Sequence, residues 1–328
     1  MISVVICHHK GDFIHKAVQT VKASIGVDLE IIVVSSEESL KIDGVKILHK
    51  TGEPAAKRNL GVLHAKGNFI AFFDDDVELV PNAIYEMQKL LISNEKIGMV
   101  YGKTKNMEFR NRFDAAGSFI TRTGFLYARE QSGIEDKGQF DEVCPIMSSK
   151  SASCMVRKSV FNEVHGFDED FGILGEETDL SWRIWLRGYQ VLWCPSSVIY
   201  HAFNTIWKPM DYYSHKRVYL NGCRNYMTML VKNFGLANLL IALPCQLVAW
   251  LLSAIGMALS RKPKAGLYIF LGVINFIKVI PKSLAKRRAI QKHRKVSDKS
   301  LMSKVMYNPP FSYFLKRFFR YFKVGLHG

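Results

Sequence analysis

Short, mostly apolar runs alternate with amphipathic segments along the first 200 residues. Three of the runs have the length of a buried strand, namely Ile2–Ile6, Leu29–Val34 and Phe69–Phe73. Segments with apolar residues at helical spacing lie between and after them, including residues 54–65 and a helix that opens at Pro81. Strands that alternate with helices in this way predict βαβ units and a mostly parallel α/β sheet flanked by helices.

Polar residues follow each predicted strand. Cys7–Lys10 follow the first, Ser35–Glu38 the second and Asp74–Asp76 the third. Right-handed crossovers place these ends at one edge of the sheet, where open α/β sheets bind ligands. Neither GxGxxG nor GxxxxGK[ST] follows an early strand, which argues against a dinucleotide-binding fold and a P-loop NTPase.

The three adjacent aspartates, Asp74–Asp76, favour a cation. Neighbouring carboxylates repel one another, and a hard divalent metal holding a phosphorylated ligand would relieve that repulsion. A solvated acidic loop or a helix N-terminus also explains them. Lys57 and Arg58 lie at the start of a predicted helix that can face the same crevice.

A second informative block spans residues 166–189. Its pattern predicts a helix from Thr178 that Gly188 ends, with Glu176 and Glu177 at its first turn. Acids at this position either compensate the helix dipole or perform chemistry. The strand pieces that follow end on His201, which serves as a ligand or as a structural residue.

Charge is distributed unevenly along the chain. Residues 201–328 contain 22 Lys and Arg against two acids, whereas the first 200 residues hold the other 23 basic and 27 acidic residues. A basic tail on a near-neutral body indicates a polyanionic partner, either a membrane surface with anionic lipids or a nucleic acid. Six cysteines without CxxC pairing are typical of a reducing, cytosolic setting.

The tail also contains two uncharged runs. Residues 233–260 are 28 uncharged residues, enough to span a bilayer, and residues 265–277 are 13, too few to span comfortably. A basic block follows, which the positive-inside rule keeps cytoplasmic. A returning hairpin or two helices lying in the interface would satisfy this rule, and the basic turn at 261–264 argues against a full two-span hairpin. Residues 311–324 fit an interfacial helix, the alternative being packing of its aromatic residues on the rest of the protein.

Seven motifs in this order resemble the family 2 glycosyltransferases of the GT-A fold, most closely the rhamnosyltransferase- and galactofuranosyltransferase-like branch. The likeness covers roughly residues 1–225. The matching motifs are Ser3–Ile6, Glu30–Val34, Ala56–Gly61, Phe73–Asp76, Gly166–Phe171, Gly175–Arg183 and Pro195–His201.

The resemblance implies a metal site and a catalytic base. Asp74 and Asp76 match the family's Asp-x-Asp motif, Asp76 being the favoured direct ligand, and His201 matches a histidine that completes the metal site. The cofactor would be Mn²⁺ or Mg²⁺, which neutralises the diphosphate leaving group. Glu177 matches the base of an inverting transfer, with Glu176 as the second choice.

The resemblance also implies a nucleotide-sugar site, for which the candidate residues are Cys7, His8, Ser35, Arg58, Asp74 and Asp75. This chain has Cys7–Lys10 where the family usually has Pro-Thr-Tyr-Asn, and Ser35 where an aspartate usually follows the second strand. Both departures lie at the nucleoside end. Lys216, Arg217 and Arg224 are either diphosphate contacts or basic residues at a membrane edge.

Together these features predict a GT-A domain at residues 1–225, membrane-associated helices at 226–300 and an amphipathic helix at 301–328. The expected protein is a metal-dependent inverting glycosyltransferase at the cytoplasmic face of the cell membrane. It would use a nucleotide-sugar donor and a lipid-linked or glycan acceptor in cell-surface glycan synthesis. The alternatives are a polyprenyl-phosphate glycosyltransferase, a catalytically inactive sugar-nucleotide binder and a basic membrane- or nucleic-acid-binding protein. The long uncharged run at 233–260 argues against nucleic acid.

Overall fold

The computed structural model describes residues 1–129, 133–202, 216–260, 262–310 and 312–313. They form two compact units. The first contains Met1–Ser118 and the described part of Ala128–Ile206, and the second contains Phe119–Tyr127 and the described part of Trp207–Gly328. The three predicted parts stay a prediction, but both predicted borders, after residues 225 and 300, fall inside helices of the second unit.

Strands and helices alternate through the first unit, and long helices follow in the second. The strands are β1 (Ile2–His8), β2 (Leu29–Ser35), β3 (Lys46–His49), β4 (Phe69–Asp74), β5 (Val77–Leu79), β6 (Ile97–Asn106), β7 (Phe113–Ala115), β8 (Ser118–Ile120), β9 (Leu126–Ala128), β10 (Cys144–Pro145), β11 (Ser153–Arg157) and β12 (Gln190–His201). The helices are α1 (Phe13–Lys22), α2 (Pro54–Leu63), α3 (Ala83–Ile92), α4 (Lys158–Glu163), α5 (Glu176–Leu186), α6 (Lys216–Asn233), α7 (Leu236–Leu259), α8 (Pro263–Lys292) and α9 (Asp298–Val305).

One sheet forms the core of the first unit, in the order β10-β12-β6-β11-β4-β1-β2-β3, with β5 paired to β12 and β7 to β6. Strands β3, β2, β1 and β4 are parallel neighbours, and β1 is buried along its whole length. The predicted strands are therefore present, and apolar side chains on both faces explain why they appear as continuous apolar runs. The predicted α/β fold is confirmed.

Strand β11 lies antiparallel between β4 and β6, so that Cys154 pairs with Phe72 on one side and Tyr101 on the other. The sequence pattern did not predict this insertion. The chain leaves β6 at the carboxyl edge of the sheet and enters β11 near the end of β4, where Ser153 pairs with Phe73. A strand that begins at this edge must run back through the sheet.

Two predicted helices position the candidate site. Helix α2 begins at Pro54, whose missing N–H and fixed φ suit a first turn, as predicted. Helix α5 begins at Glu176, two residues before the predicted start, and carries the predicted acids in its first turn. Its preceding residue, Gly175, has φ 88°, a left-handed conformation that favours glycine and turns the chain sharply into the helix.

Long helices dominate the second unit. Helix α8 packs closely on α6 at Gly272. A Cβ added there would lie only 2.9 Å from the Cβ of Cys223 and from the carbonyl oxygen of Leu220. Helix α7 corresponds to the predicted run 233–260, and α8 contains the predicted run 265–277 but continues through the basic block. The predicted helix at 311–324 lies almost wholly outside the described residues, and α9 ends at Val305.

Helices α7 and α8 expose apolar side chains. Both are long and apolar enough to cross a bilayer, judged by length and composition alone. In α7, Leu240 is 67% exposed, Leu252 55% and Leu259 81%. Only 22% of the most apolar window of α7 is buried, which is unlike the core helix of a soluble protein.

Candidate active site

The carboxyl ends of β1, β2 and β4 lie side by side, which brings together most of the predicted site residues. Cys7 of β1 pairs with Asp74 of β4, and His8 pairs with Ser35 of β2. Because the strand interiors are mostly apolar and buried, the polar side chains that can meet a ligand lie where the strands end. Open α/β sheets bind their ligands outside the carboxyl ends of the strands, where these residues lie.

His8 is the centre of the predicted nucleoside end. Its side chain is buried, with Nδ1 2.7 Å from Oδ2 of Asp75 and Nε2 3.4 Å from Oε2 of Glu37. Lys57 donates a hydrogen bond of 2.6 Å to the His8 carbonyl oxygen. Two partly exposed carboxylates therefore flank a fixed imidazole. Glu37 belongs to the predicted polar stretch Ser35–Glu38 and lies two residues beyond the position where an aspartate was expected.

Cys7 and Ser35 lie at the predicted edge but have local partners. The thiol of Cys7 is 3.7 Å from the carbonyl oxygen of Pro54, and burial raises its pKa to about 12. The hydroxyl of Ser35 accepts a hydrogen bond of 2.8 Å from the Glu37 N–H and shapes the turn after β2. A direct contact of either side chain with a nucleotide stays a prediction.

The predicted metal ligands Asp74, Asp76 and His201 lie together. Each offers a ligand atom, and these atoms are within 4.8 Å of one another. Nε2 of His201 is 3.2 Å from Oδ1 of Asp76 and 4.0 Å from Oδ2 of Asp74. Strand β5 explains this proximity, because it turns back from the aspartates and pairs Val77 with His201. Two carboxylates and one imidazole fit Mn²⁺ well and Mg²⁺ less well.

Two residues that the sequence pattern did not single out lie behind the metal cluster. Asp114 of β7 is buried, with Oδ2 2.8 Å from Nδ1 of His201 and Oδ1 2.5 Å from Nζ of Lys150. Burial disfavours the ionised carboxyl, but Lys150 and His201 lower the pKa of Asp114 to about 2. Burial likewise disfavours the imidazolium, but Asp114 and Asp76 raise the pKa of His201 to about 10.

Arg58 connects the metal cluster to the start of α5. Its buried guanidinium donates to Oδ1 of Asp74 at 2.9 Å and to Oε1 of Glu176 at 3.0 Å. Burial opposes its charge, yet the two carboxylates raise the pKa of Arg58 above its usual value. As positioned, Arg58 contacts side chains of the protein, so its predicted contact with the nucleotide-sugar stays a prediction.

Glu177 and Glu176 differ in environment although they are adjacent. Glu176 is buried and holds Arg58, whereas Glu177 is half-buried. Burial and the charge of Glu176 raise the pKa of Glu177 well above its usual range. A raised pKa makes the ionised carboxylate a stronger base than an ordinary glutamate. The role of Glu177 as the base, with Glu176 as the second choice, stays a prediction.

Asn59 of α2 forms hydrogen bonds with the Gly-Phe-Asp-Glu-Asp-Phe segment at residues 166–171. Its Nδ2 donates to the Phe167 carbonyl oxygen at 2.9 Å and to Oε1 of Glu169 at 3.0 Å, and its Oδ1 accepts from the Phe167 N–H at 2.9 Å. The Phe167 ring lies 5.4 Å from the Arg58 guanidinium carbon. Lys57, Arg58 and Asn59 thus bind three different parts of the site from one turn of helix.

Comparisons with known proteins identify the type of domain. Residues 3–164 match the model of Glycosyl transferase family 2. The chain is 25% identical over 228 residues to the probable glycosyltransferase YdaM of Bacillus subtilis, a match that covers 63% of this chain and 52% of that protein. The chain thus spans about half the length of the curated relatives it matches.

Two solved structures show the fold. GalNAc-T7, crystallised with UDP, GalNAc and Mn²⁺, superposes with a TM-score of 0.60 at 14% identity, covering 93% of this chain and 56% of that one. Residues 1–349 of Staphylococcus aureus TarS superpose with a TM-score of 0.58 at 14% identity, covering 89% of each chain. The fold is GT-A. Residues 3–164 form a glycosyltransferase family 2 domain.

Proposed function

We propose that this protein is a metal-dependent inverting glycosyltransferase that moves a sugar from a nucleotide donor to a lipid-linked glycan acceptor. The observation that carries the proposal is the grouping of Asp74, Asp76 and His201 at the carboxyl edge of the sheet, joined through Arg58 to the start of α5. GalNAc-T7, which shares the fold, contains UDP and Mn²⁺ in its crystal structure and supports a similar donor and metal here.

Different residues would bind the metal, accept the proton and position these groups. Asp74, Asp76 and His201 would hold the Mn²⁺ or Mg²⁺ ion, which supplies Lewis-acid neutralisation of the departing diphosphate. Glu177 accepts the proton of the acceptor hydroxyl as that oxygen attacks the sugar from the face opposite the leaving group. Arg58 holds Asp74 and Glu176 at a fixed separation, which keeps the metal ligands and the base in register.

The donor nucleoside would lie against the ends of β1 and β2. There His8, Asp75 and Glu37 present hydrogen-bonding groups in a fixed arrangement. Carboxylates accept hydrogen bonds from ribose hydroxyls and from base N–H groups, so Asp75 and Glu37 are the groups best suited to recognise the nucleoside. The predicted contacts of Cys7 and Ser35 would then be made by their backbone or by small shifts of their side chains.

Nucleotide binding tests the proposal first. Titration of the purified protein with UDP, GDP, dTDP and CDP, each with and without Mn²⁺, is expected to show metal-dependent binding of one nucleotide. Asp76→Ala should weaken that binding by at least about tenfold, since even the loss of groups that support metal ligands costs ~10–100-fold. Isothermal titration calorimetry measures both effects.

The matched control is Asp28→Ala, which removes an exposed carboxylate at the opposite edge of the sheet, where the Asp28 carbonyl accepts from the Ile2 N–H. This variant should bind as the wild type does. If no nucleotide binds the wild type under any condition, the sugar-nucleotide assignment is wrong.

The exposed apolar side chains and the basic residues of the second unit support a lipid-linked acceptor and a position at the cytoplasmic face. Helices α7 and α8 expose apolar side chains, and the basic residues of α8 follow its apolar half. An apolar surface bordered by positive charge matches a bilayer containing anionic lipids. A lipid-anchored acceptor would be concentrated at the same surface.

Liposome binding tests the membrane assignment. We expect the protein to partition onto vesicles with anionic lipid, and the double change Leu252→Gln and Ile255→Gln to lower the partition coefficient by at least about tenfold, since burying one such side chain contributes ~1.5–3 kcal/mol. Leu63→Gln, an exposed leucine of the first unit at 79%, is the control. Equal binding of all three proteins would contradict the assignment.

A further inference from the structure

Both ring nitrogens of His201 have acidic neighbours, but the two sides differ. On the Nε2 side lie Asp76 at 3.2 Å and Asp74 at 4.0 Å, each partly exposed. On the Nδ1 side lies Asp114, at 2.8 Å, with a side chain only 3% exposed. The exposed side faces the proposed metal site, and the buried side faces the protein interior.

Asp114 is fixed by its own partners. It lies in the middle of β7, a three-residue strand paired to β6 through Ala115 and Phe113. Its second oxygen accepts a hydrogen bond of 2.5 Å from Lys150, in the loop before β11. Two hydrogen bonds thus connect the partly exposed Lys150 through Asp114 to the imidazole of His201. The three residues come from three segments far apart in sequence.

An ionised carboxylate can only accept hydrogen bonds, so the Nδ1 of His201 must carry the proton that it donates to Asp114. With Nδ1 committed to Asp114, Nε2 is the nitrogen that faces Asp76 and Asp74, and a metal bound there would replace the Nε2 proton. A histidine that binds a metal commonly donates its other N–H to a carboxylate, which fixes the tautomer and the ring orientation. We propose that Asp114 is a positioning residue that presents Nε2 of His201 to the metal, and that Lys150 holds Asp114 in place.

Two other roles for Asp114 fit the geometry less well. As a direct metal ligand Asp114 is badly placed, because its Oδ2 contacts Nδ1 of His201, whereas the aspartates of the metal cluster lie at Nε2. As a purely structural anchor of β7 it would not need to contact a residue of the metal cluster. The inference rests on the proposed function, because it requires that His201 binds a metal.

The test measures Mn²⁺ binding rather than turnover. Protein labelled with ¹⁵N-histidine is titrated with Mn²⁺ and followed by electron paramagnetic resonance, which gives the affinity. Its electron spin echo modulation reports whether a histidine nitrogen is bound to the ion. We expect a histidine signal in the wild type and its loss in His201→Gln. Asp114→Asn and Asp114→Ala should weaken Mn²⁺ affinity by about 10–100-fold and reduce the histidine signal.

The matched control is Asp136→Asn. Asp136 also belongs to the first unit and has a side chain only 6% exposed, at 3.1 Å from Lys103 and 2.8 Å from Lys105. Its loss should lower the unfolding temperature without changing the Mn²⁺ affinity or the histidine signal. Lys150→Met should weaken Mn²⁺ binding less than either Asp114 variant does, because Asp114 keeps its bond to His201.

The possible results distinguish the proposed metal site from the proposed role of Asp114. If the wild type binds no Mn²⁺, or binds it without a histidine signal, the proposed metal site itself is wrong. If the wild type shows the signal but both Asp114 variants keep it and bind Mn²⁺ within about twofold of the wild type, Asp114 is a structural residue and the inference is wrong. If Lys150→Met weakened Mn²⁺ affinity as much as Asp114→Ala does, the proposal that Lys150 acts only by holding Asp114 would be wrong.

Discussion

Glu177→Gln is expected to lower kcat by about 10²–10⁴-fold, the usual contribution of a general base, while changing the KM for the donor little. The substitution keeps the size of the side chain but removes its capacity to take a proton. Because Glu177 would act on the acceptor hydroxyl, binding of the nucleotide at the strand ends should persist. Initial rates with the identified donor, together with nucleotide titration, measure both quantities.

The pH dependence of kcat provides a second signature of the same residue. The pKa of Glu177 is raised, and a base is active only when ionised, so kcat should rise with pH through that pKa and fall below it. Glu176→Gln removes one of the charges that raise the pKa, and this variant should therefore move the rise to lower pH. A kcat that does not change with pH would contradict the assignment of the base. So would a decrease of kcat in Glu176→Gln as large as that in Glu177→Gln.

Arg58→Ala is expected to lower the free energy of unfolding by about 3–5 kcal/mol, the cost of leaving the buried charge of Glu176 without its partner. Removal of the guanidinium leaves Asp74 and Glu176 without the donor that each had, at 2.9 and 3.0 Å respectively. Denaturant unfolding of the metal-free protein measures the change. Arg58→Lys should recover only part of the loss, since an ammonium group cannot form the planar, two-armed bridge.

Arg110→Ala is the matched control for this experiment. Arg110 also pairs with a glutamate, Glu78, at 2.6 Å, but its side chain is 53% exposed. Exposed ion pairs contribute about 0–1 kcal/mol, so this variant should remain close to the wild type. Equal stability losses in Arg58→Ala and Arg110→Ala would show that Arg58 does not hold the site together.

The parts of the fold that follow from local pattern were predictable. Strands β1, β2 and β4 are continuous apolar runs because both of their faces are buried, and each ends where polar residues begin. Helix α5 was predicted by an apolar stripe and by the acids at its start. The aspartates of the metal cluster follow directly from the end of β4, so their place at the sheet edge was also predictable.

Other parts depend on contacts between distant segments and left no local signal. The insertion of β11 between β4 and β6 is decided by where the chain re-enters the sheet. Asp114 lies on a strand of three residues, too short for any periodicity, and its partners Lys150 and His201 are 36 and 87 residues away. A single aspartate between two apolar residues gave no reason to expect a role in the metal cluster.

The attachment of the turn after β2 has a practical consequence for engineering donor choice. That turn contacts the rest of the site through Glu37 and His8, whereas Arg58 of α2 holds Asp74 and Glu176, the neighbour of the proposed base. Libraries that vary residues 36–39 should therefore change which nucleotide is accepted while leaving the transfer machinery assembled. Libraries that vary residues 57–59 should instead yield mostly inactive proteins, whatever the donor supplied.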